Sequence, residues 1–310
     1  MALVLSWSCD SLPHISSANA KVYAPPPVIV TDQRLIPCRD TEDKRMEARP
    51  KLKQYHLHGM DSTDFLKCYF DEGSVFRDES VGFVMETLHN ALATGHIKGE
   101  TLIDISIGSF VHHLFDISEY FKEIIILKLK EPCIMELNKW VNTRTGAFNW
   151  NHASKIAIGL KGISDPDSSC EKEEKCKETI NRIVKFDFSN ENLTDPEVLP
   201  PADCLISAWM LEAVCQDQQD YIRNLRKMSK LLKPAGTIIL IVNLDCTYYI
   251  AGNDRLHVLN IDESFVKKAL TDEGFVIGCC EILDRKVKSD LVDHKQVIFL
   301  IAVKGNMQGN

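Results

Sequence analysis

Two positions in this 310-residue sequence have the local pattern of a nucleotide site, and both depart from the usual residues. The mostly apolar run Leu102–Ile107 is followed by a turn at Gly108, and a second apolar run, Ile124–Leu127, ends at Lys128. A strand, a glycine turn and a second strand ending about 20 residues later form the usual nucleotide cradle of an α/β protein. Such a cradle normally has several glycines, and a carboxylate that accepts bonds from the ribose hydroxyls. This chain keeps one glycine and has a lysine in place of the carboxylate.

Composition and charge argue against several classes of protein. The chain has 45% hydrophobic and 26% charged residues, which is typical of a globular protein with a sizeable core. A net charge of -8 argues against a nucleic-acid partner. The apolar runs are far shorter than the ~20 residues of a membrane span, so we expect no membrane partner.

The 11 cysteines predict a reducing compartment. Their number is odd and many lie in apolar runs, as buried free thiols do, so we expect a cytoplasmic protein. Cys170 and Cys176 lie in a charged stretch without a second ligand pair at metal spacing, and we therefore predict no metal site. We also expect a monomer.

The hydrophobic pattern predicts an α/β domain at residues 51–305, behind a flexible extension at residues 1–50. The extension combines Ser and Asn with three consecutive prolines and has no regular period. In the domain, two helical patterns come first, and apolar runs then alternate with further helical patterns. The predicted strands cover residues 101–106, 124–127, 155–160, 183–188, 203–208, 237–243, 275–282 and 296–303, and the predicted helices between them cover 134–141, 221–232 and 263–271.

This order of elements predicts a doubly wound, Rossmann-like sheet. Continuous apolar strands separated by helices favour a parallel sheet that is covered on both faces. The last two strands are joined by about a dozen polar residues, too few for a crossover helix, so we expect an antiparallel C-terminal hairpin. Residues 164–178 are polar and charged, which favours a surface insertion. A mostly parallel sheet with such a hairpin is more typical of S-adenosylmethionine methyltransferases than of dehydrogenases.

A series of segments, in order along the chain from about residue 55 to residue 305, carries a family resemblance. The segments are 64–66 with 69–70, 102–105, 121–124, 136–140, 147–150, 172–175, 199–204, 231–234 with 236, and 248–249. They resemble the small-molecule amine N-methyltransferases, which include the nicotinamide, phenylethanolamine and indolethylamine enzymes, and they are most similar to the nicotinamide enzyme. The resemblance implies S-adenosyl-L-methionine as cofactor and a small amine or pyridine as methyl acceptor.

The resemblance also implies a set of cofactor contacts. Where the family has a GSGPT-like turn, this chain has Ser106–Phe110, and Lys128 replaces the ribose aspartate. A family asparagine is Cys133 here, the adenine aspartate is kept as Asp187, and Glu131 can substitute for the missing carboxylate if its loop folds back. The implied cofactor-binding residues are Phe65, Tyr69, Phe70, Ser106, Gly108, Phe110, Lys128, Cys133, Asp187, Phe188 and Ala208.

On the acceptor side, the resemblance implies an aromatic pocket with one orienting carboxylate. That carboxylate aligns with Val242 or Asn243, and Asp245 is the nearby alternative. The implied substrate-binding residues are Phe65, Val242, Asp245, Tyr249 and Val258. We assign no catalytic residue, because methyl transfer to a neutral amine is an in-line displacement that depends mainly on positioning.

Three functions remain open from the sequence. The first is an S-adenosylmethionine-dependent N-methyltransferase with weakened cofactor binding. The second is a catalytically inactive protein of the same fold that acts through protein contacts, and the substitutions at Ser106, Phe110 and Lys128 favour it. In the third, Lys128 selects a phosphorylated nucleotide, as basic residues do for the 2′-phosphate in some dinucleotide domains.

Overall fold

A computed structural model describes residues 52–163, 165 and 167–305 of the chain. The described residues belong to one compact unit, and the predicted flexible extension at residues 1–50 lies outside them. The strands of the described part are β1 Gly99–Asp104, β2 Phe121–Lys128, β3 Ile180–Lys185, β4 Ala202–Ala208, β5 Leu232–Leu244, β6 Tyr248–Ala251, β7 Asp254–His257, β8 Phe275–Asp284 and β9 Gln296–Lys304.

Helices connect most of these strands. A π-helical turn, Arg77–Gly82, precedes the third helix, and a 3₁₀ turn, Ser118–Tyr120, follows the fourth. The α-helices are α1 Tyr55–His58, α2 Ser62–Phe70, α3 Phe83–Ala93, α4 Leu114–Ile117, α5 Glu131–Val141, α6 Asn151–Leu160, α7 Ser168–Thr179, α8 Leu211–Val214, α9 Gln218–Ser229 and α10 Glu263–Asp272. Among the described residues, no helix is both long enough and apolar enough to span a membrane.

Seven strands form one mixed sheet in the order β3-β2-β1-β4-β5-β9-β8. The first five pair in parallel, and β9 pairs antiparallel with both β5 and β8. The predicted doubly wound sheet with an antiparallel C-terminal hairpin is therefore confirmed. The strand order reverses between β1 and β4, and ligands of such sheets bind outside the carboxyl ends of the strands at this switch point.

One predicted strand is wrong, one predicted helix extends too far, and one predicted surface insertion contains a helix. Residues 155–160 belong to helix α6, where Ala153, Ala157 and Ile158 are buried at helical spacing; a short apolar run does not distinguish a strand from a helix. Helix α9 ends at Ser229, because Leu232 already pairs with β4 as the first residue of β5. The segment predicted as a surface insertion contains α7, whose Lys172 is buried.

A second, two-stranded sheet was not predicted. Strands β6 and β7, which follow β5 and precede α10 in the sequence, pair antiparallel. Tyr249 of β6 also forms an isolated bridge with Val292, in the loop between β8 and β9. This small sheet and that loop lie beside α2, because the Tyr69 hydroxyl lies 2.8 Å from the carbonyl oxygens of Ile250 and Leu291.

Candidate functional site

A buried ion pair lies where the sequence predicts the ribose contact. Strand β1 ends at Asp104 and β2 ends at Lys128, and parallel pairing brings the two ends together. Lys128 Nζ lies 3.0 Å from Asp104 Oδ2 and donates to the Ser106 carbonyl oxygen at 2.8 Å. Lys128 and Asp104 are both 0% exposed. Each charge needs its partner, because desolvation of an ion costs several kcal/mol.

The other oxygen of Asp104 is also occupied. Ser106 Oγ donates to Asp104 Oδ1 at 2.6 Å, and His113 Nε2 lies 2.9 Å from the same atom. Burial raises the pKa of Asp104, but the charge of Lys128 and the bonds from His113 and Ser106 outweigh burial and hold the pKa well below its ordinary value. Ser106 Oγ also accepts from the Ala208 backbone N at 3.1 Å, so this cluster joins the ends of β1, β2 and β4.

Aromatic side chains cover the glycine turn. Gly108 has φ +62°, and a Cβ at this position would lie 2.7 Å from Phe65 Cε1. The Phe110 ring stacks on Phe70 with the centroids 4.6 Å apart, and meets Trp209 edge-on at 5.4 Å. Lys128 Nζ lies 5.9 Å from the Phe110 ring centroid. Side chains of the same protein therefore pack directly against the backbone of the turn.

The residues predicted to bind the cofactor divide into a buried group and an outer pair. The outer pair is Asp187, which is exposed and accepts from the Ser189 backbone N at 2.7 Å, and the half-buried Phe188. Glu131 is exposed at the start of α5. The buried group consists of Phe65, Tyr69, Phe70, Ser106, Gly108, Phe110, Lys128, Cys133 and Ala208.

Phe65, Tyr69, Phe70, Phe110 and Trp209 form an aromatic cluster. A cavity of about 50 Å³ lies beside this aromatic cluster and is lined by a buried carboxylate, that of Glu212. Glu212 is 2% exposed; its Oε1 accepts from the Asn243 backbone N at 3.0 Å, whereas Oε2 has no hydrogen-bond partner among the described residues. Burial raises the pKa of Glu212 to about 7. The cavity is lined by Phe65, Tyr69, Phe70, Phe76, Glu79, Ser80, Ile107, Trp209, Glu212, Ala213, Asn243, Tyr249, Val258, Val292, His294 and Val297.

The second carboxylate of the cavity, Glu79, is bound to the protein itself. Its Oε1 accepts from the backbone N atoms of Lys286 at 3.0 Å and Val287 at 3.2 Å, and its Oε2 lies 3.1 Å from His294 Nε2. Burial raises the pKa of Glu79, but the bonds from His294 and the two backbone N–H groups outweigh burial and lower the pKa. Glu79 therefore fixes the β8–β9 loop, and Glu212 is a lining carboxylate with an oxygen that has no hydrogen-bond partner in the described part of the chain.

Three of the residues predicted to bind the acceptor, Phe65, Tyr249 and Val258, line this cavity together. Asn243, one of the two aligned positions, also lines it, and its Oδ1 accepts from Trp209 Nε1 at 3.0 Å. The other two predicted residues are placed elsewhere. Val242 is buried in β5 outside the lining, and Asp245 pairs with Lys295 at 3.4 Å, beyond the end of β5.

Sequence reasoning missed Glu212, Glu79 and His294. Glu212 had a detectable signal, because it is the one carboxylate in the apolar segment Met210–Val214 directly after a predicted strand. Glu79 and His294 had none: they are 215 positions apart in the chain, and they meet through the packing of the π-helical turn against the β8–β9 loop.

The strand order and the glycine turn define a Rossmann-like methyltransferase domain. A model of the NNMT/PNMT/TEMT family matches residues 51–305, and the chain belongs to this family. Nicotinamide N-methyltransferase of Homo sapiens is 29% identical over 263 residues, 84% of this chain and 98% of that protein. Indolethylamine N-methyltransferase of Oryctolagus cuniculus is 32% identical over 253 residues, 81% of this chain and 95% of that protein.

Among solved structures, 1,6-didemethyltoxoflavin-N1-methyltransferase of Burkholderia thailandensis is similar with a TM-score of 0.49 and 14% identity, covering 86% of this chain and 100% of that chain. The family prediction made from the sequence is confirmed. S-adenosyl-L-methionine is the cofactor of this family of N-methyltransferases.

The side chains at the cofactor position do not fit this cofactor. An ammonium group donates hydrogen bonds and accepts none, so Lys128 does not replace a carboxylate that accepts from ribose hydroxyls. Both of its hydrogen bonds are to groups of β1 and the turn, Asp104 and Ser106. The backbone of the turn is covered by Phe65 and Phe110. Asp187 alone of the polar residues assigned by the resemblance keeps both the family residue type and an exposed side chain.

Proposed function

We propose that this protein binds a small protonated amine in the cavity beside Glu212, at the acceptor position of an N-methyltransferase domain. The observation that carries the proposal is Glu212 Oε2, a buried carboxylate oxygen without a hydrogen-bond partner among the described residues. A buried carboxylate is costly unless a donor or a cation satisfies it. An ammonium group supplies both the donor and the charge.

The walls of the cavity favour a cation as well. Phe65, Tyr249 and Trp209 present aromatic rings to the cavity, and aromatic faces attract organic cations by about 0.5–2 kcal/mol each. A neutral pyridine would leave Glu212 without a counter-charge, so the geometry favours an amine over a pyridine. The volume of about 50 Å³ is below the ~300–1,000 Å³ of most ligand pockets, which favours an ammonium group with few carbons.

Calorimetric titration of the full chain with trimethylamine tests this proposal. A ligand with so few heavy atoms gains at most about 1.5 kcal/mol per atom, so the dissociation constant has a lower limit of some tens of micromolar. We expect binding in the range of about 0.1–5 mM, with Glu212→Gln at least about tenfold weaker. tert-Butanol, a neutral molecule of similar shape, is the ligand control. Equal binding of tert-butanol, or unchanged binding by Glu212→Gln, would contradict the proposal.

We also propose that the protein is cytoplasmic. The described residues contain no disulfide bond, which supports a reducing compartment. Thiol titration of the native and the unfolded protein from its own cells would test this. Disulfide-bonded cysteines in that material would contradict it.

A further inference from the structure

We infer that side chains of this protein occupy its own cofactor position, so that the chain does not bind S-adenosyl-L-methionine and holds an amine without methylating it. The inference about the cofactor rests on Lys128, Phe110 and Phe65 and not on Glu212. It therefore stands or fails independently of amine binding.

The first argument is electrostatic. The ammonium of Lys128 pairs with the carboxylate of Asp104, whose two oxygens already have Lys128, Ser106 and His113 as partners. A ribose placed here would have hydroxyls without acceptors, which weakens binding by about 5- to 150-fold for each mispaired group. Lys128 is 0% exposed and two of its three donors are engaged by Asp104 and Ser106, so it does not present its charge to the phosphorylated nucleotide considered from the sequence.

The second argument is steric. Phe110 lies between the stacked Phe70 ring at 4.6 Å and the edge of Trp209 at 5.4 Å, and Phe65 packs on Gly108 and on Tyr249 at 6.0 Å between centroids. Close-packed rings of this kind move only together with their neighbours. A ligand at the turn would have to displace two buried rings.

The third argument comes from exposure. Nine of the eleven residues assigned to the cofactor are buried by the protein alone, Lys128 and Cys133 completely. The lining of a cleft large enough for a drug-sized ligand would present accessible side chains, since such a cleft encloses ~300 Å³ or more. The more accessible pair, Asp187 and Phe188, follows β3, which pairs with β2 up to Lys128.

The decisive experiment is calorimetric titration of the full wild-type chain with S-adenosyl-L-methionine and with S-adenosylhomocysteine. We expect a dissociation constant weaker than 1 mM for both ligands. A tighter constant for either ligand overturns the inference. Titration of the same preparation with trimethylamine reports amine binding separately, so failure of the proposed function and failure of this inference are distinguishable.

A variant that restores the family residues tests the cause. The triple variant Ser106→Gly, Phe110→Thr, Lys128→Asp removes the Phe110 ring, which lies 6.5 Å from the Phe65 ring between centroids, and supplies the ribose carboxylate. Once circular dichroism shows that it is folded, we expect it to bind S-adenosylhomocysteine at least about tenfold more tightly than wild type. A folded triple variant that binds no better overturns the inference.

A second variant protects the test against misfolding, because Lys128→Asp places two carboxylates side by side. Ser106→Gly, Phe110→Ala keeps the Lys128–Asp104 ion pair and opens the turn, and it should bind S-adenosylhomocysteine at least about fivefold more tightly than wild type. Phe115→Ala is the matched control, since Phe115 is equally buried but packs against Trp140. Equal effects of the control and the double variant would also overturn the inference.

Discussion

Lys128, at the end of β2, and Glu212, in α8, are ionisable residues that are buried in different ways. Lys128 is neutralised within the protein by Asp104, so its charge is fixed and unavailable to a ligand. Glu212 has one hydrogen bond, from the Asn243 backbone, and its pKa is raised to about 7 because burial disfavours the ionised form. The ionised state of Glu212 is therefore the state that a bound ammonium would stabilise.

This pKa makes amine binding dependent on pH. The ionised fraction of a carboxyl with a pKa of about 7 rises from about 0.1 at pH 6 to about 0.9 at pH 8. Trimethylamine keeps its proton over this range, so we expect its affinity to increase about tenfold from pH 6 to pH 8, measured by calorimetry. Glu212→Gln should abolish the dependence, and a flat wild-type profile would contradict the role of Glu212.

The raised pKa of Glu212 also makes the free energy of unfolding depend on pH. The folded protein keeps the Glu212 proton up to about pH 7, whereas the unfolded chain loses it near the ordinary value of 4.5. Ionisation of Glu212 therefore lowers the free energy of unfolding as pH rises from about 4.5 to about 7, and this contribution is constant above that window. In urea titrations, the free energy of unfolding should fall less for Glu212→Gln than for wild type over this pH range.

At the level of secondary-structure elements, α2 connects the aromatic cluster to the small β6–β7 sheet. The Tyr69 hydroxyl of α2 lies 2.8 Å from the carbonyl oxygens of Ile250 and Leu291 and accepts from the Ile250 backbone N at 3.2 Å. One hydroxyl thus joins a helix, a strand of the small sheet and the β8–β9 loop. The elements that surround the cavity depend on this contact for their relative position.

Tyr69→Phe should weaken this junction while keeping the ring in the aromatic cluster. Loss of the hydroxyl removes a donor to the half-buried Ile250 carbonyl, whereas the Ile250 backbone N keeps its 2.7 Å bond to the Leu291 carbonyl, so we expect the free energy of unfolding in urea to fall by about 1 kcal/mol. The control is Tyr120→Phe, at a half-buried tyrosine of the 3₁₀ turn, which should change stability by less than about 0.5 kcal/mol. Equal effects of the two substitutions would contradict the structural role of Tyr69.

At the level of the whole molecule, β8 is an edge strand of the large sheet, and its Val276 is 67% exposed. Exposed edges promote pairing between molecules, and bulges such as the one between Ile277 and Cys279 reduce it. The sequence predicts a monomer. A monomer with this edge would still aggregate through β8 when the protein is concentrated.

Val276→Lys should reduce that aggregation with little effect on the fold. We expect slower growth of light scattering at high concentration, because a charge on the edge opposes pairing, and a change in stability below about 0.5 kcal/mol. Both proteins should have a mass near 35.1 kDa by size-exclusion chromatography with light scattering. A wild-type dimer that Val276→Lys converts to a monomer would contradict the monomer prediction and identify β8 as an interface.

Local sequence patterns predicted most strands of the large sheet and the departures from the family pattern at its switch point. Continuous apolar runs set the strands, and Ser106, Phe110 and Lys128 were readable as changes because local order fixes which residues follow a strand. The run at 155–160 was mispredicted because its length and apolar character fit a helix equally well.

Where the critical side chains point depends on packing between distant parts of the chain. Lys128 turns inward to Asp104, and Phe65 covers Gly108. Glu212, and not Asp245, lines the cavity. All three results depend on contacts between residues that are distant in sequence. Strand pairing and helix packing set these contacts, whereas periodicity records only which face of an element is apolar. The direction of a buried charge is thus a property of the folded chain.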